Sequence, residues 1–294
     1  MLENEKVTAR VGAAEQATFT GDYTKRAVRY IDEHRDGKRP FFLYLPHNAV
    51  HWPHYPSPEF VGKAKSTLLA DWIMEMDANV GQLLEAVRES GQADNTLVIF
   101  MSDNGGSVPH GSVNTPLRGS KGSTLEGGVR ACALAWWAGR VPAGASTEAI
   151  TSNMDILPTC AALAGAKLDE KRMIDGIDIG DVLFGRSING KNVGRDAFHY
   201  FRGFDLEAVR QGPWKLQLAK GELYDLKSDI GEAKNVAAEQ PEVVARLRKL
   251  AADMDADLGA KQLGQGVRPL GRVTNPQPLI DHDGKVRPGF EPKE

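Results

Sequence analysis

A carboxylate and a carboxamide follow a short apolar run near the middle of the chain. Residues 97–101 read LVIFM, and Ser-Asp-Asn-Gly-Gly follows at 102–106. Ligands of open α/β sheets lie outside the carboxyl ends of the strands, so Asp103 and Asn104 stand where a site is expected. Their oxygens are hard ligands suited to Ca²⁺ or Mg²⁺. Because Asp-Asn-Gly is also a common turn at a strand end, spacing alone leaves both interpretations open.

Histidines follow a second apolar run, FFLYLP at 41–46, in the segment HNAVHWPH. His47, His51 and His54 could be zinc ligands, but Asn48 replaces the glutamate of HExxH and two nearby prolines argue against a helix. A single histidine that acts as a general acid, or as a donor to an anionic substrate, is the better-supported hypothesis. Loop histidines without a role are the alternative.

The third candidate is the glycine-rich stretch PLRGSKGSTLEGGVR at 116–130. It places Arg118 and Lys121 among four glycines, so cationic side chains and free backbone N–H groups can approach an anion closely. The spacing of a P-loop is not met. The stretch therefore predicts a phosphate- or sulfate-binding loop, with a solvated basic loop as the alternative.

The elements that must position these groups form a strand–helix–strand pattern. A helix is predicted at 22–35, buried strands are predicted at 41–46 and 97–101, and a long amphipathic helix is predicted at 66–90, between those strands. Continuous apolar strands joined by a helix indicate an α/β fold with a parallel-type central sheet flanked by helices. Another strand is predicted within 130–139 and another helix at 154–165.

After about residue 196 the pattern changes to hairpin strands and one amphipathic helix at 241–259, which predicts a small α+β subdomain with antiparallel strands. The proline- and glycine-rich end is predicted to be an extended tail, either an arm along the surface or disordered. The predicted domains are 1–195, 196–262 and 263–294.

Composition excludes several classes of partner. The formal net charge of −3 gives no reason to expect nucleic acid or an anionic membrane surface. No window approaches the roughly 18 consecutive apolar residues of a membrane span, and the polar N-terminus has no signal-peptide pattern. Cys132 and Cys160 lie among small apolar neighbours, which predicts free, buried thiols.

Together, FFLYLPHNAVHWP, VIFMSDNGG and PLRGSKGSTLEGGVRACALAWWAGRVPAG resemble, in this order, the second half of the type I sulfatases, the arylsulfatase-like branch of the alkaline phosphatase superfamily. TSNMDILPTCAALAG, AVRQGPWKL and ELYDLKSDIGEAKNVA are similar to later segments of that family, so the resemblance covers roughly residues 20–260. It implies a partial alkaline phosphatase/sulfatase-like fold and hydrolysis of a sulfate ester on a sulfated small molecule or polysaccharide.

The resemblance also implies a role for each matching residue. Asp103 and Asn104 match the family's Asp-Asn pair that ligates Ca²⁺, with Mg²⁺ less expected. Lys121 matches the lysine that holds the sulfate group, and His51 matches the histidine that contacts the sulfate ester near its leaving oxygen. These two residues are the expected catalytic and substrate-binding groups. A cation and two donors around a developing negative charge lower the barrier to cleavage.

The departure from the family concerns the nucleophile. Sulfatases carry Cys-x-Pro-x-Arg or Ser-x-Pro-x-Arg, whose first residue becomes formylglycine; here Cys132 precedes Ala-Leu-Ala and Cys160 precedes Ala-Ala-Leu. The family's adjacent aspartate pair is absent as well. We therefore expect an incomplete sulfatase with very low activity alone, poorly soluble through an exposed sheet edge. Its N-terminal half could be separately encoded, and an intact relative would be periplasmic or secreted.

Two alternatives differ in chemistry. One is a phosphoesterase of the same superfamily, which uses a threonine or serine nucleophile and paired zinc or manganese ions. The other is a non-catalytic sulfatase-like module that binds sulfate and has lost its nucleophile. The phosphoesterase needs more histidine and aspartate ligands than these motifs supply, so the sulfatase is favoured.

Overall fold

A computed structural model describes residues 1–4, 6–169, 171, 173–186, 194–259, 264, 267, 274–281 and 283–291. By its internal contacts the chain divides into two compact units, Met1–Ala93 with Pro269–Glu294, and Asp94–Arg268. Part of the predicted tail at 263–294 lies outside the described residues. Within the described part of the chain, no helix has both the length and the apolar character needed to cross a membrane.

The first unit is mainly helical. Its elements are, in chain order, β1 (Leu2–Glu3), β2 (Lys6–Val7), α1 (Ala13–Gln16), α2 (Phe19–Glu33) and α3 (Leu68–Glu89). The two long helices confirm the helices predicted within 22–35 and 66–90. They pack on each other through apolar faces, where Ala27 and Ile31 of α2 are buried, as is Trp72 of α3. The Trp72 indole N–H donates to the buried Thr20 hydroxyl at 3.0 Å, so its one polar group is satisfied.

Two buried carboxylates on α3 hold the loop that precedes this helix. Asp71 accepts hydrogen bonds from the backbone N–H groups of Gly62 and Ala64, both at 2.8 Å. Glu75 accepts one from the Ser57 N–H at 2.7 Å. Because buried carboxylates are costly unless they accept hydrogen bonds, these contacts fix the loop as well as satisfying the acids.

The strand predicted at 41–46 is wrong. These residues lie in no strand, and Phe42 and Tyr44 are 64% and 74% exposed. A strand is defined by backbone hydrogen bonds to a neighbour, and no described segment pairs with this one. An apolar run reports a tendency to be buried but carries no information about its partner.

The second unit contains the remaining elements. They are, in chain order, β3 (Val98–Met101), α4 (Glu126–Val129), β4 (Ala133–Trp136), α5 (Ile156–Leu163), α6 (Gly180–Leu183), β5 (Ala197–Arg202), β6 (Asp205–Gln211), β7 (Trp214–Gln217), β8 (Glu222–Asp225) and α7 (Pro241–Leu258). The strands predicted at 97–101 and within 130–139 are confirmed as β3 and β4, and the helix predicted at 154–165 corresponds to α5.

The pairing of β3 with β4 is antiparallel, with Val98 opposite Trp136 and Met101 opposite Ala133. The sequence predicts parallel strands in this part of the chain, but the described strands β3 and β4 are not a parallel pair. Apolar runs of this kind are typical of strands covered on both faces, but they do not encode the direction of the neighbouring strand. Cys132, just before β4, is exposed, so the buried thiol predicted there is wrong; both cysteines are free.

The C-terminal part of this unit is a four-stranded antiparallel sheet in the order β5-β6-β7-β8. Helix α7 packs on it through a shared core: Val209, Leu216, Leu223, Val243, Leu247 and Ala251. The predicted antiparallel strands and amphipathic helix are confirmed. Each fully buried aliphatic side chain in such a core contributes about 1.5–3 kcal/mol, which makes this sheet a stable platform for the loops that contact it.

Candidate active site

The turn after β3 presents its two polar side chains differently. The Asn104 side-chain N–H donates to the Gly105 carbonyl at 2.9 Å, which leaves its Oδ1 as an acceptor. The Ser102 hydroxyl donates to the Asn104 carbonyl at 3.0 Å and closes the turn. Asp103 is exposed, and among the described residues its carboxylate makes no hydrogen bond or ion pair. The Asp103 carboxylate and the Asn104 Oδ1 therefore lie at the end of β3 without competing partners among the described residues.

Glycines allow this turn to lie directly against α4. The Gly105 N–H donates to the Gly128 carbonyl at 3.0 Å. A Cβ on Gly105 would lie only 2.1 Å from the Gly127 carbonyl oxygen, and one on Gly128 only 2.2 Å from the Ser123 carbonyl oxygen. No side chain fits at these distances, so the approach of the two backbones requires glycine.

The same contacts bring the Lys121 loop to the turn. The Lys121 N–H donates to the Gly106 carbonyl at 3.0 Å. Asn114 joins the two segments, since its side-chain N–H group donates to the carbonyls of Gly106 at 2.8 Å and Gly119 at 3.0 Å. The Lys121 side chain is exposed and has no ion-pair partner within the described ranges. The structure thus places Asp103, Asn104 and Lys121 in one hydrogen-bonded group of loops.

Arg118, the other cation of this loop, is held by the C-terminal sheet. Its guanidinium donates to the Tyr224 hydroxyl at 3.2 Å and lies 5.2 Å from the centre of that ring. Partial burial by itself lowers the pKa of Arg118, but the Tyr224 hydrogen bond and the nearby carboxylates of Glu232 and Glu222 outweigh it, so the pKa is raised. Arg118 therefore stays charged and serves as an anchor for the loop.

His51 belongs to the first unit, where it lies on an exposed loop. Its backbone N–H donates to the Asn48 carbonyl at 2.9 Å, and its Nδ1 lies 2.7 Å from the Trp52 carbonyl oxygen. Because a carbonyl can only accept, Nδ1 carries a proton. Nε2 then accepts a hydrogen bond in the neutral ring and donates one in the imidazolium, which suits an exchange of protons with a ligand.

His47 has a different environment from His51. Both of its ring nitrogens are buried without a hydrogen-bond partner, and burial lowers the pKa of the imidazole. Within the described part of the chain, no three His, Cys, Asp or Glu side chains are grouped so as to hold a metal ion. The three-histidine zinc site considered above therefore has no support.

Sequence reasoning missed the buried charges beneath the glycine-rich loop. Glu126, Lys215 and Glu232 are at most 1% exposed, and Lys215 Nζ lies 2.8 Å from Glu126 and 3.1 Å from Glu232. The only sequence signal was a glutamate between Leu125 and two glycines. Its partner is 89 residues away along the chain, so only the tertiary structure identifies it.

The side chains of Asp103 and Asn104 offer the type of ligand atom that a hard cation prefers, but too few ligands to complete its coordination. Asp103 and Asn104 both offer oxygen, the ligand atom that Ca²⁺ prefers. Ca²⁺ takes six to eight oxygens at roughly 2.3–2.6 Å, so these two side chains can form only one side of such a site.

Comparison with known proteins gives a consistent result. The family model described as Sulfatase matches residues 3–166 of the 294. N-acetylgalactosamine-6-sulfatase of Canis lupus familiaris is 37% identical over 204 residues, which cover 68% of this chain and 38% of that protein. Arylsulfatase A of Bos taurus is 34% identical over 296 residues, covering 85% and 57%. The chain thus spans between about two fifths and three fifths of these relatives.

Solved structures show the same likeness. A complex of Ps i-CgsB with k-i-k-neocarrahexaose superposes with a TM-score of 0.72 and 32% identity over 80% of this chain and 54% of that one. The PsFucS1 sulfatase from Pseudoalteromonas sp. gives a TM-score of 0.76 at 24% identity over 86% and 56%, which shows the fold. These likenesses confirm the predicted sulfatase-like fold class. Since the family model matches more than half of its residues, the chain belongs to the sulfatase family.

Proposed function

We propose that this chain supplies part of a site that binds and hydrolyses a sulfate ester. In this proposal Lys121 contacts the sulfate group, and Asp103 and Asn104 are ligands of Ca²⁺. His51 keeps the role that the family resemblance implies, that of a donor to the ester. The observation that carries it is the hydrogen bond from the Lys121 N–H to the Gly106 carbonyl. This hydrogen bond joins the loop that carries the exposed Lys121 ammonium to the Asp103–Asn104 turn. The turn approaches α4 so closely that only glycine fits at position 105.

The chemistry of ester cleavage accounts for the residue types. Negative charge grows on the leaving oxygen as the sulfur–oxygen bond breaks, and the Lys121 ammonium offsets charge on the sulfate oxygens. The Nδ1 of His51 is bonded to the Trp52 carbonyl, which leaves Nε2 for the ester. Oriented donors of this kind each lower the barrier by about 3–4 kcal/mol. A bound calcium ion would further polarise the sulfate oxygens.

The sequence lacks the motif that supplies the covalent nucleophile in sulfatases. Neither cysteine begins a Cys-x-Pro-x-Arg sequence, and no serine begins the equivalent one. Removal of a catalytic nucleophile lowers turnover by roughly 10⁶-fold in proteases. We therefore propose that this chain alone has very low activity, and that turnover requires a polypeptide that carries the nucleophile and further calcium ligands.

A sulfated sugar is the proposed substrate class. The relative from Canis lupus familiaris is an N-acetylgalactosamine-6-sulfatase, and the Ps i-CgsB structure contains the oligosaccharide k-i-k-neocarrahexaose. Both suggest that the exposed Lys121 loop recognises a sulfate carried by a saccharide.

Calorimetric titration tests the binding part of the proposal. In calcium buffer the chain should bind N-acetylgalactosamine 6-sulfate and not N-acetylgalactosamine. Lys121→Ala should weaken binding at least tenfold, because it removes the ammonium that faces the sulfate. The control is Lys220→Ala, which removes another exposed lysine of the same unit. Equal affinity for the two sugars, or an equal loss in both variants, would contradict the proposal.

A non-catalytic sulfate-binding module is the second candidate, and the absence of the nucleophile motif favours it. Hydrolysis of an aryl sulfate separates the two candidates. A split enzyme should gain turnover when it is mixed with a polypeptide that carries the nucleophile motif, whereas a binding module should bind the sulfated sugar and gain none.

A further inference from the structure

Three buried charged residues, which we name the ion cluster, lie beneath the glycine-rich loop: Glu126, Lys215 and Glu232. Lys215 and Glu232 are fully buried and Glu126 is 1% exposed. Lys215 Nζ lies 2.8 Å from one Glu126 oxygen and 3.1 Å from one Glu232 oxygen. The ammonium also lies 4.5 Å from the centre of the Tyr200 ring. It therefore has partners on several sides although no water reaches it.

The cluster holds the backbone of the loop as well as its side chains. The Glu126 N–H donates to the second Glu232 oxygen at 2.7 Å. The other Glu126 oxygen lies 3.6 Å from Arg130 and 3.7 Å from Arg210. The two carboxylates are thus compensated by Lys215 and two arginines, as buried charges must be if they are not to destabilise the fold.

The two residues that follow Glu126 make the contacts that build the candidate site. The Gly127 N–H donates to the Arg118 carbonyl at 2.7 Å, and the Gly128 carbonyl accepts from Gly105 at 3.0 Å. Gly105 directly follows Asn104. A shift of Glu126 would therefore move both the turn that carries the proposed calcium ligands and the loop that carries Lys121.

Two further contacts tie the same loop to the C-terminal sheet. The Thr124 hydroxyl donates to Glu207 of β6 at 2.9 Å, and Arg118 donates to Tyr224 of β8 at 3.2 Å. With Lys215 on β7, three consecutive strands hold the loop. An apolar contact would have sufficed for stability alone, whereas charges and hydrogen bonds fix direction and distance.

We propose that Glu126, Lys215 and Glu232 are positioning residues, through which the sheet β5–β8 sets the geometry of the Lys121 loop and of the Asp103–Asn104 turn. The role assigned to that geometry rests on the proposed function. The positioning itself rests only on the contacts above, so the two can be tested separately.

The experiment compares Glu126→Gln with the unmodified chain by amide hydrogen exchange and by titration with inorganic sulfate. Glutamine keeps an acceptor for Lys215 and removes one buried charge. The Gly105, Lys121 and Gly127 amides should exchange at least tenfold faster, while those of Leu247 and Ala251 in α7 keep their rates. Sulfate binding should weaken about tenfold.

Asp155→Asn is the matched control. Asp155 is fully buried in the same unit and pairs with Arg195 at 2.5 Å, and its bonded partners lie outside the glycine-rich loop and the Asp103–Asn104 turn. This variant should lower the melting temperature without changing exchange at Gly105, Lys121 or Gly127. Thr124→Val removes one hydrogen bond and no charge, so it gives a folded second variant in which the Lys121 amide should again exchange faster.

Each outcome decides one of the two questions. Loop exchange that is unchanged in Glu126→Gln and Thr124→Val, or that rises equally in Asp155→Asn, overturns the positioning role. Loop exchange that rises only in the first two variants supports it. If the unmodified chain then fails to bind sulfate, positioning stands and the proposed function fails.

Discussion

Lys121 and Arg118 are two cations of one loop with different restraints on their side chains. The Arg118 guanidinium lies against the Tyr224 ring and donates to its hydroxyl, and these contacts restrain it. The Lys121 ammonium is exposed, although its backbone is bonded to Gly106. A fixed backbone with a free ammonium suits the binding of an anion from outside, whereas a fixed guanidinium suits the anchoring of the loop.

At the same scale, His47 should make the first unit sensitive to acid. Burial lowers the pKa of its imidazole in the folded chain, whereas in the unfolded chain the pKa is about 6.5. The unfolded state therefore binds the proton first. The stability contributed by neutral His47 is complete above about pH 6.5 and is lost as the pH falls towards the lowered folded pKa.

Urea unfolding at pH 7.5 and pH 5.5 checks this prediction. The loss of unfolding free energy on acidification should be smaller in His47→Phe than in the unmodified chain. His51→Gln is the control, because it removes a histidine of the same unit whose ring is exposed. The prediction is wrong if both variants respond to pH alike.

At the scale of the elements, the contact between α4 and the turn that follows β3 depends on glycine. Gly105→Ala would place a methyl group 2.1 Å from the Gly127 carbonyl oxygen, so the turn must move away from α4. We expect a loss of about 1–3 kcal/mol in unfolding free energy and weaker binding of sulfate. Chemical denaturation and sulfate titration of the variant measure the two effects.

Gly81→Ala is the comparison at the same scale. Gly81 lies within α3, and nothing is within 4 Å of the position that its Cβ would occupy. Alanine there should stabilise the chain by about 0.5–1 kcal/mol, because glycine in a helix interior costs more backbone entropy. A similar loss in both variants would show that the close approach at Gly105 is not what makes alanine unfavourable there.

On the scale of the whole molecule, calcium should be linked to folding. An ion that binds the folded state alone stabilises it by about 1.4 kcal/mol at roughly ten times its Kd, which raises the Tm by ~2–6 °C for a unit of this size. Asp103→Ala should abolish this rise because it removes the charged oxygen ligand. Differential scanning calorimetry in CaCl₂ and in EDTA measures it.

The control for calcium is Asp205→Ala, which removes another exposed aspartate of the same unit. It should keep the calcium-dependent rise in Tm. A rise that survives in Asp103→Ala would mean that the ion binds elsewhere.

The local sequence pattern was enough to predict many of the helices and strands of this protein. The long helices α2, α3 and α7, the strands β3 and β4 and the C-terminal hairpins were predicted, because amphipathic periodicity and turn residues act between near neighbours in the chain. The motifs around His51, Asp103 and Lys121 likewise indicated the family, which the comparisons confirm. Their roles in binding remain predictions.

Only the tertiary structure shows which strands pair and which charged side chains contact each other. Residues 41–46 form no strand, β3 and β4 run antiparallel, and Arg118 serves as an anchor where an anion-binding role was considered. The ion cluster joins Glu126 to Lys215, which lies 89 positions further along the chain, and to Glu232, which lies 106 positions further along. Hydropathy and periodicity report whether a side chain is buried, but which charge or strand it meets depends on the free energy of the complete packing.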